Sequence, residues 1–449
     1  MTLAKKPEAA QATATSLMPN TEQEFNWRHC WYPVTFVQDL PKNRPCSFSL
    51  YDEPFVLFRN QDGKLACLID RCPHRAAKLS DGQIIDGKIE CLYHGWQFDN
   101  DGQCLHIPQL PADAKIPVNA CVQSFTVVER QGIVWMWRGE PETADDESIP
   151  TIADLDKPGF VRSDYMSDRP YDQTYFVENV IDPAHFPISH DGSLSNRKNA
   201  QPLEMEVLKT SVEGIQGRFR QKRNANGNWI NLDFVAPNLV KYRFEAMPGF
   251  SGGTIIYSLP LGKGRCRVLV RNYQNFSTRK IKLKPRWLDH LLRNRVSEED
   301  MPFIRGQQAH IEQSGKNPNS LYLPLKTSDT LVIEYRKWLD KYGSSLPFYQ
   351  GYSTSKSHVL SDEEIPASML IERLRRHTQI CSSCNRAYQV TNILKQVSVG
   401  VAIALFALAI LTDHSWYQIV AISLSLSAVA LAVVAQIVKT KFERSYKRR

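Results

Sequence analysis

Two short loops, Cys72-Pro73-His74 and Cys91-Leu92-Tyr93-His94, each join a cysteine to a histidine, with sixteen residues between His74 and Cys91. A chain that carries such loops must fold so that both meet at one inorganic centre. Thiolate–imidazole mixing within each loop is the informative detail. Zinc fingers pair like ligands, as Cys-x₂₋₄-Cys followed by His-x₃₋₅-His. A [2Fe–2S] cluster with two cysteines on one iron and two histidines on the other calls for mixed loops, and its neutral imidazoles raise the potential so that the cluster can accept and pass on electrons. Cys₂His₂ zinc is the competing occupant.

The flanking sequence predicts a small all-β domain over 25–140. Short β-rich runs (Tyr32 to Val37, Phe55 to Arg59, Leu65 to Ile69, Ile133 to Trp137) alternate with the turn dipeptides Asp62-Gly63, Asp86-Gly87 and Asp101-Gly102. Residues 1–24 read as a disordered lead without the Arg- and Ser-rich character of a transit peptide, and 141–160 as an acidic, proline-containing linker. From 161 to 378 the pattern is α+β. Alternating strands such as Trp229 to Val235 and Leu239 to Phe244 suggest an antiparallel sheet, while Pro285 to Gln313, Asp329 to Tyr342 and Pro366 to His377 have helical spacing.

The tail differs. Segments 393–411 and 416–438 read as transmembrane helices, the second free of charge and long enough to cross a bilayer, although the apolar core of the first, Val397 to Leu411, is short. Much of the formal net charge of +8 gathers around them: Arg373, Arg375, Arg376, Arg386 and Lys395 before, and the basic tail 439–449 after. Membrane topology accounts for that charge better than nucleic acid does. The basic flanks predict a hairpin with both ends and the catalytic domains on the cytoplasmic or stromal side. A buried core hairpin is the alternative.

A second ligand pattern lies in Glu178-Asn179-Val180-Ile181-Asp182-Pro183-Ala184-His185-Phe186-Pro187-Ile188-Ser189-His190. Two histidines and a carboxylate on one face of an iron leave positions open for O₂. His185 and His190 alone are a weak signal, but they follow the first motif by about ninety residues, in a second domain. The third ligand must come from a distant acid. Ser297-Glu298-Glu299-Asp300, ahead of the run ending in Gln307-Gln308, supplies candidates, and a helix-capping role for Ser297 and Asp300 is the bland alternative.

Cys72-Pro73-His74-Arg75 and Cys91-Leu92-Tyr93-His94-Gly95-Trp96 resemble the cluster-binding loops of Rieske non-haem iron oxygenases, and Asp182-x₂-His185-x₄-His190 is similar to their mononuclear-iron motif. The resemblance implies one [2Fe–2S] Rieske cluster on Cys72, His74, Cys91 and His94. It also implies one mononuclear Fe(II) on His185, His190 and Asp300, with Glu299 as the fallback ligand. Asp182 would bridge His185 to His94 of the partner subunit in a head-to-tail homotrimer, fixing both tautomers. The implied fold is an N-terminal Rieske domain, a helix-grip antiparallel-sheet catalytic domain and a transmembrane helical hairpin.

Cys381-Ser382-Ser383-Cys384, in an expected linker at 379–392, is a candidate redox pair. A CxxC followed by two apolar spans resembles the pheophorbide a oxygenase and chlorophyllide a oxygenase-like branch, in which the CxxC is a thioredoxin target. The resemblance implies a monooxygenase of chlorophyll-derived tetrapyrroles such as pheophorbide a or (proto)chlorophyllide a. Its implied partners are O₂, ferredoxin and its reductase. The implied location is the thylakoid or plasma membrane of a cyanobacterium-like cell. No Gly-rich dinucleotide fingerprint or nucleic-acid motif is visible. The alternatives are the same chemistry on another apolar or aromatic substrate, and a membrane-anchored Rieske electron carrier or redox sensor.

Overall fold

The structure, a computed structural model, describes residues 24–223, 227–354 and 372–446. All but the last residue of the expected N-terminal lead, the expected helix from Pro366 as far as Ile371, and residues 447–449 of the basic tail lie outside them.

The first domain is built from three small antiparallel sheets. One pairs Trp31–Phe36 with Ile133–Trp137 and Val127–Arg130; a second joins Cys46–Leu50, Glu53–Arg59, Leu65–Ile69 and Ser124–Phe125. The third, Gln83–Ile85, Lys88–Glu90, Gln97–Phe98 and Cys104–His106, frames the ligand loops. Asp86 and Gly87 close its first hairpin with φ of 48° and 77°, the left-handed pair that a two-residue turn between twisted strands requires. The acidic segment after this domain forms three short 3₁₀ turns, and its Ile149 and Ile152 are buried with Trp31, Trp135 and Trp137. It is therefore a strap rather than a free tether.

The second domain is a seven-stranded antiparallel sheet. Val161–Arg169 lies at one edge, followed by Arg265–Gln274, Phe250–Gly262, Leu239–Met247, Ile230–Val235, Gly214–Gln221 and Leu203–Ser211. The helix Thr330–Tyr342 packs against it through Leu331, Val332, Tyr335, Trp338 and Leu339, an apolar stripe at helical spacing. Arg336 points from the same helix into the core and pairs with Glu178 on the helix Gln173–Val180, which leads into the His185 segment. Asp39 of the first domain takes the guanidinium of Arg286 from the second.

The run expected as one helix from Pro285 is two, Arg286–Glu299 and Met301–Ser314. Asp300 sits at the joint, because Pro302 in the first turn of the second helix has no N–H to continue the ladder. Ser297 is consequently inside a helix and caps nothing; its hydroxyl meets Tyr165 and Arg169.

At the C-terminal end, Ser382–Leu411 and Ser415–Glu443 form an antiparallel hairpin. Most of the expected linker 379–392 is thus helical. The first helix starts well before its apolar run, and at 30 residues it is long enough to span a bilayer despite the short apolar core. Both helices are long and apolar enough to cross a membrane, and leucines, isoleucines and valines stand exposed along them. Arg373 and Arg376, counted by sequence in the basic flank, are instead buried and ion-paired with Glu298.

Candidate active site and its two ligand sets

The two Cys–His loops have the same backbone construction. In each, the residue four after the cysteine is left-handed (Ala76, φ 57°; Gly95, φ 76°) and donates its N–H to the cysteine carbonyl. The cysteine N–H is returned to the carbonyl of the next residue, Ala77 or Trp96, at 2.8 and 2.9 Å. These paired turns hold Cys72 and Cys91 buried and leave His74 exposed and His94 half-buried. The imidazoles lie 4.3 Å apart between centroids, and His74 stacks on Trp96 at 4.8 Å. Burial pushes the Cys72 thiol up to about 11, opposed by the backbone N–H groups of His74 and Arg75 that face its sulfur. Such N–H groups suit a sulfur that carries negative charge. Two buried thiols behind two imidazoles at the surface fit a cluster bonded to sulfur on the inside and exchanging electrons through histidine on the outside.

The second set comes from three places. Helix Gln173–Val180 ends just before Asp182, a short turn at Phe186–Ser189 separates His185 from His190, and the helix joint presents Asp300. Nε2 of His190 and Nε2 of His185 lie 3.1 and 3.6 Å from Asp300 Oδ2, close enough together for one metal ion. Each outer nitrogen faces a second carboxylate. Asp182 Oδ2 is 3.4 Å from His185 Nδ1, while its Oδ1 accepts from Ala184 N–H at 2.7 Å. Glu299 Oε2 is 3.0 Å from His190 Nδ1 and also accepts from Ser193.

Charge in this group calls for a cation. Burial disfavours the charged imidazolium of His185, but Asp182 and Asp300 outweigh it and hold the ring's pKa up to about 9. Burial likewise opposes ionisation of Asp300, and the two histidines still hold its carboxyl well below the usual range. Oδ1 of Asp300 is buried without a hydrogen-bond donor, as a free metal-ligand position would be. Two imidazoles and one carboxylate, with an acceptor behind each ring, fit a non-haem Fe(II) site.

A cavity of 1110 Å³ opens onto His185, His190 and Asp300. Phe176, Phe219, Ile230, Tyr242, Ile256 and Val270 form much of its wall, and Lys280 and Arg293 line it as well. Behind the motif, Glu178 accepts from Arg336, from Gln307 at 2.7 Å and from Tyr322 at 3.0 Å, clamping the helix that leads into the His185 segment. Sequence reasoning does not find Arg336: a lone cation in an amphipathic helix carries no local signal. Cys381 and Cys384 join neither ligand set. They are fully buried beside Phe442, with no sulfur open to a thioredoxin in this conformation.

A β-rich Cys–His domain joined to a helix-grip domain with a His–His–Asp cluster defines a Rieske non-haem iron oxygenase. The Rieske [2Fe-2S] domain family matches residues 30–126, and the pheophorbide a oxygenase family matches residues 234–318. The chloroplast protein TIC 55 of Pisum sativum is 36% identical over 92% of this chain and 82% of its own length. Chloroplast pheophorbide a oxygenase of Arabidopsis thaliana is 32% identical over 91% of this chain and 81% of its own length. The crystal structure of dicamba monooxygenase bound to dicamba aligns with a TM-score of 0.58 at 25% identity, over 70% of this chain and 97% of that one. The chain belongs to the Rieske oxygenase family that includes TIC 55 and pheophorbide a oxygenase. Its cofactors are a Rieske [2Fe–2S] cluster and a mononuclear iron, and its chemistry uses O₂ and an electron-transfer partner.

Proposed function

We propose that this chain is a membrane-anchored monooxygenase that oxygenates a chlorophyll-derived tetrapyrrole such as pheophorbide a or (proto)chlorophyllide a. The observation that carries this reading is the 1110 Å³ cavity, walled largely by apolar side chains and bordered by His185, His190 and Asp300. Its size is at the upper end for small-molecule sites and suits a large, flat, mainly apolar ligand. Lys280 and Arg293 on the same cavity would meet a peripheral carboxylate.

In this reading Cys72, His74, Cys91 and His94 hold the cluster, and His185, His190 and Asp300 hold the iron. The iron, when bound, supplies open coordination positions at which O₂ is activated. The protein does the positioning. Asp182 and Glu299 set the tautomers of His185 and His190, keeping both Nε2 lone pairs directed inward. The apolar wall excludes water from the reacting face.

Electrons would arrive from a ferredoxin and its reductase at the exposed edge of His74 and His94. Leu92 and Tyr93, 58% and 60% exposed, give that edge an apolar rim. The same rim would dock on another copy in a head-to-tail trimer, bringing its cluster against Asp182, whose side chain is partly exposed. The two C-terminal helices would cross the membrane as a hairpin. Arg386 and Lys395 near one end, and Lys439, Lys441 and Arg444 near the other, favour both ends on the cytoplasmic or stromal side. The chloroplast relatives favour a photosynthetic membrane, the thylakoid or plasma membrane of a cyanobacterium-like cell.

The test is turnover. Full-length protein in detergent, given ferredoxin, its reductase, pheophorbide a and ¹⁸O₂, should yield a product carrying one labelled oxygen. Intact tetrapyrrole after many reductive cycles, with about three irons per chain, would reject the substrate assignment.

A further inference from the structure

Four side chains that the oxygenase site does not use converge beneath the membrane hairpin. His290 comes from the helix Arg286–Glu299, His377 from the turn Leu374–Thr378, and Cys381 and Cys384 from the start of the helix Ser382–Leu411. All four are 0–1% exposed, and their ligand atoms lie within 4.8 Å of one another. We propose that they form a third metal centre: a buried, tetrahedral, structural zinc site.

The distances have the proportions of a coordination tetrahedron. His290 Nδ1 is 3.2 Å from His377 Nε2 and 3.5 Å from each sulfur, and His377 Nε2 is 3.2 Å from Cys384 Sγ. Zinc bonds of about 2.3 Å to sulfur and 2.0–2.1 Å to nitrogen give tetrahedral edges of about 3.3 Å between nitrogens and about 3.6 Å between nitrogen and sulfur.

Proton placement supports the same conclusion. His290 Nε2 lies 2.8 Å from the carbonyl of Asp164, and His377 Nδ1 lies 2.6 Å from the carbonyl of Met166. A carbonyl only accepts, so each ring carries its hydrogen on that outer nitrogen. The two inner nitrogens therefore present lone pairs to each other at 3.2 Å. That arrangement is repulsive when empty and correct when a cation sits between them. A backbone carbonyl holding the far nitrogen is also the usual support for a zinc-bound histidine. Two thiolates and two neutral imidazoles make a closed, soft ligand set with no open position, which favours a structural zinc over a catalytic metal. Binding Zn²⁺ releases the two thiol protons and changes no oxidation state.

The location gives the site a job. It ties together the edge strand Val161–Arg169, the helix that ends at Asp300 and the base of the membrane hairpin. His290 and Asp300 are ten residues apart on one helix and its terminus, about 15 Å of rigid rise. A metal at His290 would fix where that helix delivers its carboxylate, relative to the membrane.

Metal analysis and X-ray absorption on full-length protein in detergent decide the matter. We expect one zinc per chain in addition to the iron, with a zinc-edge spectrum of two sulfurs at about 2.3 Å and two nitrogens at about 2.0–2.1 Å. Cys384→Ser and His290→Ala should each lose the zinc while the reduced Rieske EPR signal remains. If those variants do not fold, the wild-type spectrum alone is decisive. Wild-type protein without zinc, zinc with only oxygen and nitrogen neighbours, iron in the same site, or a Cys381–Cys384 disulfide in peptide maps would each overturn the proposal. None of these outcomes touches the substrate assignment, which is read from turnover.

Discussion

Glu299 accepts a hydrogen bond from His190 Nδ1 at 3.0 Å, on the side of the ring opposite the nitrogen that faces Asp300. Two neighbouring acids thus address the two nitrogens of one imidazole. Glu298, next in line, turns away and pairs with Arg373 and Arg376. Successive helical residues are separated by about 100°, so three consecutive carboxylates reach three different surroundings. One anchors the segment before the C-terminal helical hairpin, one orients a histidine and one faces the metal position.

This division of labour predicts an order of metal loss. Asp300→Asn should nearly empty the mononuclear site, whereas Glu299→Gln should weaken iron binding by about 10–100-fold, as removing an outer-shell carboxylate does. Both variants should keep the Rieske EPR spectrum, because the cluster loops are in the other domain. Iron analysis after dialysis against a mild chelator reads the order. If Glu299→Gln proved the emptier of the two, Glu299 would be the ligand and Asp300 the outer carboxylate.

Asp182 is close to His185 Nδ1 without being poised on the metal side. Asp182→Asn should therefore retain cluster and iron while turnover collapses, since the carboxylate that faces His185, and that in the proposed trimer would meet the cluster of the next subunit, is gone. Stopped-flow oxidation of the pre-reduced cluster in single turnover separates slow electron delivery from poor substrate binding. Normal turnover by a fully loaded variant would rule out the bridging role.

Much of the fold and site was legible in sequence where the signal was local. Each Cys–His loop keeps its candidate ligands within four residues, and His185 and His190 share one short turn, so local motifs singled out these candidates, the second pair only in combination with the first motif. The period of Leu331, Tyr335, Trp338 and Leu339 marked a buried helix face in the same way. Long-range pairings were not legible. His290 meets His377 across 87 positions, and neither carries a motif beyond the nearby CxxC. Arg373 and Arg376 looked like membrane-flanking charge because nothing in composition reveals that Glu298 is folded against them. Pro302 was the one available clue to the break at Asp300: proline near a helix start marks a boundary.

The buried Arg336–Glu178 pair should be costly to break from one side. Arg336→Met leaves a carboxylate in the core with only neutral donors, Gln307 and Tyr322, and should cost about 3–5 kcal/mol. The double variant Arg336→Met, Glu178→Gln should recover a good part of that, because the unpaired charge is removed as well. Thermal melts of the two proteins make the comparison. Equal destabilisation by the single and double variants would mean that packing around Arg336, rather than its charge, carries the effect.

The last prediction concerns pH. With no metal bound, Asp182 and Asp300 hold the pKa of His185 up to about 9, so its ring is protonated at neutral pH. Iron must displace that proton to reach Nε2. Asp300, held well below the usual carboxylate range, is already ionised and contributes no proton to the exchange. Fe(II) affinity of protein stripped of its mononuclear iron should therefore rise with pH. The slope should be about tenfold per unit from near pH 7, flattening as pH passes through the His185 value. Asp182→Asn removes one of the carboxylates that raise this pKa, so its curve should flatten at lower pH. Anaerobic Fe(II) titrations across this range, with the cluster left in place, give both curves. A wild-type affinity independent of pH there would show that no proton is exchanged at His185, and that the carboxylates around it do not act on the ring as their geometry implies.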